Sequence, residues 1–486
     1  MLFFPGPHSA TGEDVLELHV HGGPTIVKAV LAAIPQCAAD TGDDSQRASW
    51  RLPVRYAEAG EFTKQAFHNQ RLSLPQIEAL GDTLAADTEQ QRLAALRGSD
   101  KRITRVYDAW RDLLLQARGQ TEAYLDFSED QHLEGSEQDF IKVIAEQVTN
   151  LSKQLATHLR NAVKGELLRS GIKVALLGPP NAGKSSLLNR VIGREAAIVS
   201  EQAGTTRDIV DVSVDIGGYL TLFGDTAGLR SEDALAGEMA IGAVELEGMR
   251  RARQRALESD VVIVMLAFQA IQDPSSALGP MIAGEEVLDA AAKCARAGKE
   301  VVVALNKSDL LSTRRRHPTD EDDVQSNRYV SWLKQAWQTR MPGHSIDPIP
   351  ISCTTSSGAD PGDIQRFLGR LIQAFKRLTD PEGTRGDLDS TDPSSLLPTS
   401  QPDSLGATHR QRLLLEECQS HLDAFLGAVG SVGNATPETE EGVDLVIAAE
   451  SLRAAAECLA RITGKGIAGD VEEVLGVVFE KFCVGK

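Results

Sequence analysis

The sequence predicts an α/β domain with a parallel sheet, inserted into an all-helical domain and preceded by a small α+β unit. Three observations carry this. From residue 171 onward, short apolar runs at 172–177, 219–223, 261–266, 301–305 and 349–352 alternate with helix-length segments, the pattern of strands joined by crossover helices. Before it, residues 74–168 carry apolar side chains at three- and four-residue spacing, as in Leu113, Leu114 and Ala117 or Leu151, Leu155 and Leu159. After it the helical spacing returns and ends in Val471, Val474, Leu475, Val478, Phe479 and Phe482, one helix face that needs a partner. The economical arrangement packs these last helices on the earlier ones, so that one helical domain is interrupted by the α/β domain.

Taken in order, residues 1–69 form the α+β unit, with strand-like 15–21, a turn at Gly22-Gly23-Pro24 and a helix over 25–34. Residues 70–168 are the first part of the helical domain, 169–377 the α/β domain and 407–486 the second helical part. Between the last two, residues 378–406 are rich in Ser, Thr, Pro and Asp and too poor in apolar residues to pack, which reads as a flexible linker. No internal repeat is visible.

Composition sets bounds. At 486 residues the chain exceeds one hydrophobic core. Apolar content of 42% and charged content of 24% are those of ordinary globular proteins, and the longest apolar run, 261–268, is too short to span a bilayer. A net charge of −19 opposes broad adhesion to nucleic acid, so any RNA contact requires local basic clusters. Those at 101–111, 250–255 and 314–316, and His409 with Arg410 and Arg412, read first as solvated helix faces. The six cysteines form no Cys-x-x-Cys pair, so neither a zinc site nor a disulfide framework is indicated, and a reducing compartment fits. His19 and His21, alternating on a strand beside a glycine turn, read as structural.

The chemistry lies in the α/β segment. After the run ending at Leu177 comes GPPNAGKS, in which Gly178, Gly183, Lys184 and Ser185 satisfy Gly-x-x-x-x-Gly-Lys-Ser, with Asn181, Ala182 and Ser186 completing the turn into a helix. Glycines let backbone N–H groups approach phosphates, Lys184 brings charge to the outer phosphates and the Ser185 hydroxyl can ligand magnesium. Asp225-Thr226-Ala227-Gly228 follows the second strand, so that Asp225 can hold the magnesium shell and the Gly228 N–H can sense the terminal phosphate. Asn306-Lys307-Ser308-Asp309 offers an amide for the base edge and a carboxylate that accepts two N–H bonds from guanine, a donor pair adenine lacks, which disfavours ATP. Ser352-Cys353-Thr354 fits a last base-contacting loop. In Ala203-Gly204-Thr205-Thr206-Arg207-Asp208, Thr206 is the natural second magnesium ligand on a switch loop. Leu229 stands where many GTPases carry a water-orienting glutamine, so another group must orient the water.

These residues resemble one family, the tRNA-modification GTPases called TrmE or MnmE, including their mitochondrial relatives. The matching stretches are FPGPHSATGEDVLELHVHGGP, AGEFTKQAFHNQRLSLPQIEAL, GPPNAGKSSLLNRVIGREAAIVSEQAGTTRDI, DTAGLR, VELEGMRRAR, NKSD and the terminal FCVGK. The last lies outside the GTPase segment and is therefore informative. The resemblance implies a dimerising folate-binding N-terminal domain, an interrupted helical domain and GTPase domains that meet across a homodimer. It implies potassium in place of an arginine finger, held by Asn181 with Ser200, Gln202 and Thr205, and Glu245 as the water-positioning carboxylate. The insert SEDALAGEMAIGA also places Glu232, Asp233 and Glu238 nearer to Leu229.

For methylenetetrahydrofolate, or 5-formyltetrahydrofolate as its analogue, the matching positions are Glu17, Arg71 and Lys486, with arginine where lysine is usual at 71. Cys483 lies beside the expected one-carbon site. Family members begin with further strands ahead of LFFPGPHS, so the resemblance implies an incomplete folate domain and a mitochondrial presequence lying ahead of residue 1; a cytoplasmic protein is the alternative. The implied function is GTP hydrolysis in modification of the tRNA wobble uridine at carbon 5, with an FAD-dependent partner of the GidA or MnmG type. The rival reading is an RNA-binding switch GTPase in ribosome assembly, which would call for an appended RNA-binding module and leaves the Cys-Val-Gly-Lys end unexplained.

Overall fold

In the computed structural model, residues 1–39, 55–128, 137–192, 197–200, 212–224, 241–268, 279–312, 320–354, 361–381, 405–430 and 445–465 are described. Strand β1 (Leu2–Phe4) pairs antiparallel with β2 (Val15–Glu17), and α1 (Pro24–Ala39) follows, opened by a proline at a position where a missing N–H costs nothing. Helices α2 (Glu61–His68), α3 (Leu74–Leu84), α4 (Glu89–Gly98), α5 (Lys101–Ser128) and α6 (Glu137–Ser170) come next. At the start of α3 the Ser73 N–H donates to Gln76 Oε1 at 3.0 Å, and Pro75 lies in the first turn.

The α/β segment comprises β3 (Ile172–Leu177), α7 (Lys184–Arg190), β4 (Ala197–Ser200), β5 (Val212–Ile216), β6 (Tyr219–Phe223), α8 (Ile241–Glu258), β7 (Val261–Ala267), α9 (Gly279–Arg296), β8 (Glu300–Asn306), α10 (Asp309–Ser312), α11 (Asp320–Arg340), β9 (Ile349–Pro350) and α12 (Pro361–Thr379). Helices α13 (His409–Gly430) and α14 (Leu445–Thr463) complete the described chain.

The seven-stranded sheet has the order β4-β5-β6-β3-β7-β8-β9. Inside it, between β3 and β8, lies β7, VVIVMLA, a continuous apolar run buried on both faces. Val261, Ile263 and Met265 pack with Leu187, Phe367, Leu371 and Phe375 on one side. Val262, Val264 and Leu266 pack with Leu288, Ala291, Leu333 and Trp337 on the other. Helices therefore lie on both faces of the sheet.

The expected sheet was parallel, and the strands from β6 to β9 are, but β5 runs antiparallel to both β4 and β6. The cause is local. Gly217 (φ 61°) and Gly218 (φ 88°) form a two-residue turn that pairs Ile216 with Tyr219, and glycine takes both positive φ values without strain.

The chain divides into two compact units, one of Met1–Ala85, Ala95–Ala162 and Gly383–Lys486, the other of Ala86–Ala94 and Val163–Glu382. The sheet unit thus takes two pieces of sequence that periodicity assigned to the helical domain. Gln90 N–H donates to Gly218 O at 3.0 Å, Gln91 Nε2 donates to Arg169 O at 2.9 Å, and Ala94 sits in the sheet core, which places the first half of α4 in this unit. Helix α12 runs to Thr379, and Leu405 is buried, so ordered packing extends into both ends of the stretch 378–406 read as linker. Residues 382–404 and the apolar stripe at 471–482 lie outside the described residues.

In the helical unit, α5, α6, α13 and α14 share one core that includes Tyr107, Leu114, Val148, Leu155, Leu422 and Leu452. A buried charge fastens its rim. Glu78, 8% exposed, accepts hydrogen bonds from Arg410 Nε at 2.6 Å, Gln411 Nε2 at 2.6 Å and Thr408 Oγ1 at 3.2 Å. The same guanidinium donates to the carbonyls of Arg461 and Ile462 at 3.1 and 3.3 Å, supplying partners for the carbonyls at the end of α14. Inside the core, Tyr107 Oη lies 2.9 Å from His158 Nε2, and the His158 ring meets Tyr107 and Trp110 edge-on, with centroids 5.4 Å apart in each pair. This burial pushes the His158 pKa down to about 4. Among the described residues no helix is long and apolar enough to cross a membrane.

Two measurements check this packing. Glu78→Gln leaves Arg410 without its carboxylate and should cost about 3 kcal/mol of stability in urea unfolding, as breaking one side of a buried pair does. His158 is neutral in the fold and gains a proton on unfolding below its ordinary pKa. Stability should therefore fall as pH drops from about 6.5 to about 4, by up to ~1.4 kcal/mol per pH unit, and His158→Gln should remove that part of the slope.

Candidate functional site

Loops at the carboxyl ends of parallel strands converge in an open α/β sheet, and here β3, β8 and β9 each end in a loop carrying one of the sequence motifs. The loop 178–183 leaves β3 and enters α7, whose first N–H groups have no partner within the helix. Two of its glycines are required by space. A Cβ on Gly178 would lie 2.4 Å from Met265 O, and one on Gly183, whose φ is 93°, would lie 2.1 Å from Asn306 Nδ2. Asn181 takes φ 58° at the exposed crest of the loop, while Ala182 is fully buried. The Lys184 ammonium donates to the Gly178 and Pro179 carbonyls at 3.2 and 3.0 Å, which holds the positive charge against the loop. Ser185 is half-buried, and its hydroxyl makes no hydrogen bond to any described residue; Ser186 is exposed.

Asn306 closes β8 at 2% exposure. Its Nδ2 donates to Ala182 O at 2.8 Å and its Oδ1 accepts the Cys353 N–H at 3.3 Å. The sequence assigned this amide to the edge of a base. The structure gives both of its ends to the protein, so Asn306 ties the phosphate-type loop to the loop after β9. Lys307 then takes φ 65°, the Ser308 N–H bonds Ile351 O at 3.1 Å, and Asp309 starts α10. One Asp309 oxygen accepts the Ser352 hydroxyl at 2.7 Å, and Ser352 Oγ also lies 2.9 Å from Thr354 Oγ1.

A residue that no motif singled out reaches the same loop. Arg190, the last residue of α7, donates through Nη1 to Ser352 O at 3.4 Å and to Thr354 O at 2.6 Å. Nothing in a single sequence marks an arginine whose partners are backbone carbonyls more than 160 residues away. Cys353 lies between these anchors. Burial pushes its pKa up to about 11 against the pull of Arg190, so it remains a protonated packing group at neutral pH.

The structure therefore brings together Asn181, Ala182, Gly183, Lys184, Ser185 and Ser186 with Asn306, Lys307, Ser308 and Asp309. Gln202, Thr205, Thr206, Asp225, Thr226, Ala227 and Gly228 lie outside the described residues, as do Leu229, Glu232, Asp233, Glu238, Cys483 and Lys486. Ser200 lies in β4 and Glu245 in α8, with side chains outside the described set. In the helical unit, Glu17 on β2 is exposed beside His19 Nε2 at 3.2 Å, and Arg71 is exposed after α2. Elsewhere in that unit, Glu417, His421 and Cys458 bring ligand-type atoms within 4.8 Å of one another. Burial, with the nearby Glu417 carboxylate and a hydrogen bond to it, pushes the Cys458 thiol up to about 12, and Arg461 lies 3.7 Å from that carboxylate, so the group reads as a polar packing contact between α13 and α14.

Comparison with known proteins agrees across the whole chain. Residues 1–71 match the family description "GTP-binding protein TrmE N-terminus" and residues 74–483 match "MnmE helical domain". The human protein named 5-taurinomethyluridine-[tRNA] synthase subunit GTPB3, mitochondrial, is 36% identical over 490 residues, covering 100% of this chain and 81% of that protein. The tRNA modification GTPase MnmE of Parvibaculum lavamentivorans is 36% identical over 486 residues, covering 100% of this chain and 86% of its own length. With both family descriptions matched in sequence order and this identity held from end to end, the chain belongs to the TrmE/MnmE family.

Proposed function

We propose that this chain is the GTP-hydrolysing component of the system that modifies the tRNA wobble uridine at carbon 5, adding a group of the carboxymethylaminomethyl or taurinomethyl type. One observation carries it: in a chain matched end to end by tRNA-modifying relatives, a phosphate-type loop and a carboxylate suited to guanine are joined by Asn306 at one end of a sheet. Asp309 is the guanine acceptor, taking the two N–H groups on one edge of the base. Lys184 and the N–H groups of the loop hold the phosphates.

Magnesium fits the Ser185 hydroxyl, which has no protein partner among the described residues, with Thr206 and the shell of Asp225 completing the set. Potassium fits the exposed amide of Asn181, with Ser200, Gln202 and Thr205 as further donors. When bound, the two cations would supply positive charge to the phosphate oxygens. In this reading Glu245 orients the attacking water, a task an apolar Leu229 cannot perform, and two copies of the chain meet to complete the site.

Residues 1–69 serve as the folate-binding and dimerising domain in the same reading. Exposed Glu17 and Arg71 remain open to methylenetetrahydrofolate, with Lys486 as the third contact. An FAD-dependent partner of the GidA or MnmG type completes the modification on tRNA, and the mitochondrion is its place. GTP hydrolysis drives opening and closing rather than the carbon transfer.

Two experiments test the reading. Asp309→Asn turns an acceptor into a donor, so it should weaken GTP binding roughly a hundredfold and favour XTP, whose base carries a carbonyl where guanine carries an amine. In steady-state hydrolysis at matched ionic strength, potassium should accelerate the reaction well beyond sodium, and Glu245→Ala should abolish the potassium-stimulated rate. Equal slow rates in the two salts would overturn the potassium-dependent mechanism.

A further inference from the structure

We propose that Arg190 is a positioning residue for guanine recognition, fixing the loop that aims the Asp309 carboxylate. This rests on the reading of the site as a guanine-nucleotide site. The argument starts from how few contacts define residues 352–354. The Cys353 N–H is held by Asn306 Oδ1 at 3.3 Å, and the Ser352 hydroxyl spans Asp309 and Thr354. The Thr354 N–H also donates to Ser352 Oγ at 3.4 Å, so these bonds fix two peptide N–H groups and one side chain, but they leave the carbonyls of Ser352 and Thr354 to be placed by something else. Arg190 Nη1 places both, at 3.4 and 2.6 Å, using the two hydrogens of one guanidinium nitrogen. A cation donating to carbonyls makes stronger hydrogen bonds than a neutral donor does.

Position makes this contact consequential. Arg190 ends the helix that begins at Lys184, so one short rigid rod carries the phosphate-type loop at one end and grips the base loop at the other. The relay from Arg190 through Ser352 then reaches one oxygen of Asp309 at 2.7 Å. A carboxylate that must accept two N–H groups from one base edge gains from having one oxygen held in place, because each degree of rotational freedom lost beforehand is not lost on binding. Arg190 touches no substrate in this scheme; it acts through the 352–354 loop.

The test separates a positioning role from a general structural one. Hydrolysis kinetics of the full chain are measured with GTP and with ITP, whose base lacks the 2-amino group, for the unaltered chain, Arg190→Ala, Arg190→Lys and Asp309→Asn. Arg190→Ala should raise KM for GTP roughly tenfold, narrow the GTP-to-ITP ratio of kcat/KM by a similar factor, and change kcat by less than about twofold. Arg190→Lys, which can still donate to both carbonyls, should recover most of the loss. If the alanine variant does not fold, as judged by its melting curve, Arg190→Met, which keeps the aliphatic stem but has no donor, takes its place with the same expectation. An unchanged GTP-to-ITP ratio in Arg190→Ala, or an equal loss with both nucleotides, overturns the proposal while Asp309→Asn still loses its guanine preference. Retention of guanine preference by Asp309→Asn would instead sink the underlying reading of the site.

Discussion

The buried amide of Asn306 is the constraint on which the nucleotide-type site depends. At 2% exposure an amide without partners is costly by several kcal/mol, so its two hydrogen bonds are obligatory. One goes to Ala182 O and the other comes from Cys353 N–H, which sets the spacing between loops that follow β3 and β9. The requirement propagates to Gly183. Any side chain there would meet the amide at 2.1 Å, so the glycine of the motif answers to Asn306 as well as to phosphate. Asp309 inherits its place from the same arrangement, because Lys307 and Ser308 turn the chain through a left-handed residue and a bond to Ile351 O.

Glu78 plays the corresponding part in the helical unit. Its three side-chain donors all come from residues 408–411, more than 300 positions later, so it specifies which segment returns to α3. A buried ion pair adds little net stability against its desolvation, but it penalises every arrangement that leaves one charge unpaired. The apolar core of α5, α6, α13 and α14 supplies the attraction, and this pair supplies the selectivity.

Charge accounting changes once pairing is visible. The basic cluster at 409–412 contains one guanidinium turned inward and one, Arg412, paired with Glu416, while Arg102 pairs with Asp100 and Arg253 with Glu286. These basic clusters therefore project less positive field than their residue counts suggest. In a chain of net charge −19, attraction for an anionic polymer must come from more than these described residues.

The sequence alone determined the elements whose causes are local. Short, mostly apolar runs marked β3, β6, β7 and β8, the last two near-continuous because a strand buried on both faces has no polar side, and three- and four-residue spacing marked the helices before residue 170. It also located GPPNAGKS and NKSD, since phosphate and guanine chemistry demands particular residue types at short spacing. The Gly217-Gly218 hairpin was equally local, a two-glycine turn between alternating strands, and passed unread. Only the tertiary structure decided what Asn306 bonds, what Arg190 grips, that Glu78 meets Arg410, and that the first half of α4 joins the sheet unit. Each of these depends on partners distant in sequence, several of them backbone groups, and a backbone carbonyl has the same identity at every position until the fold brings a donor to it.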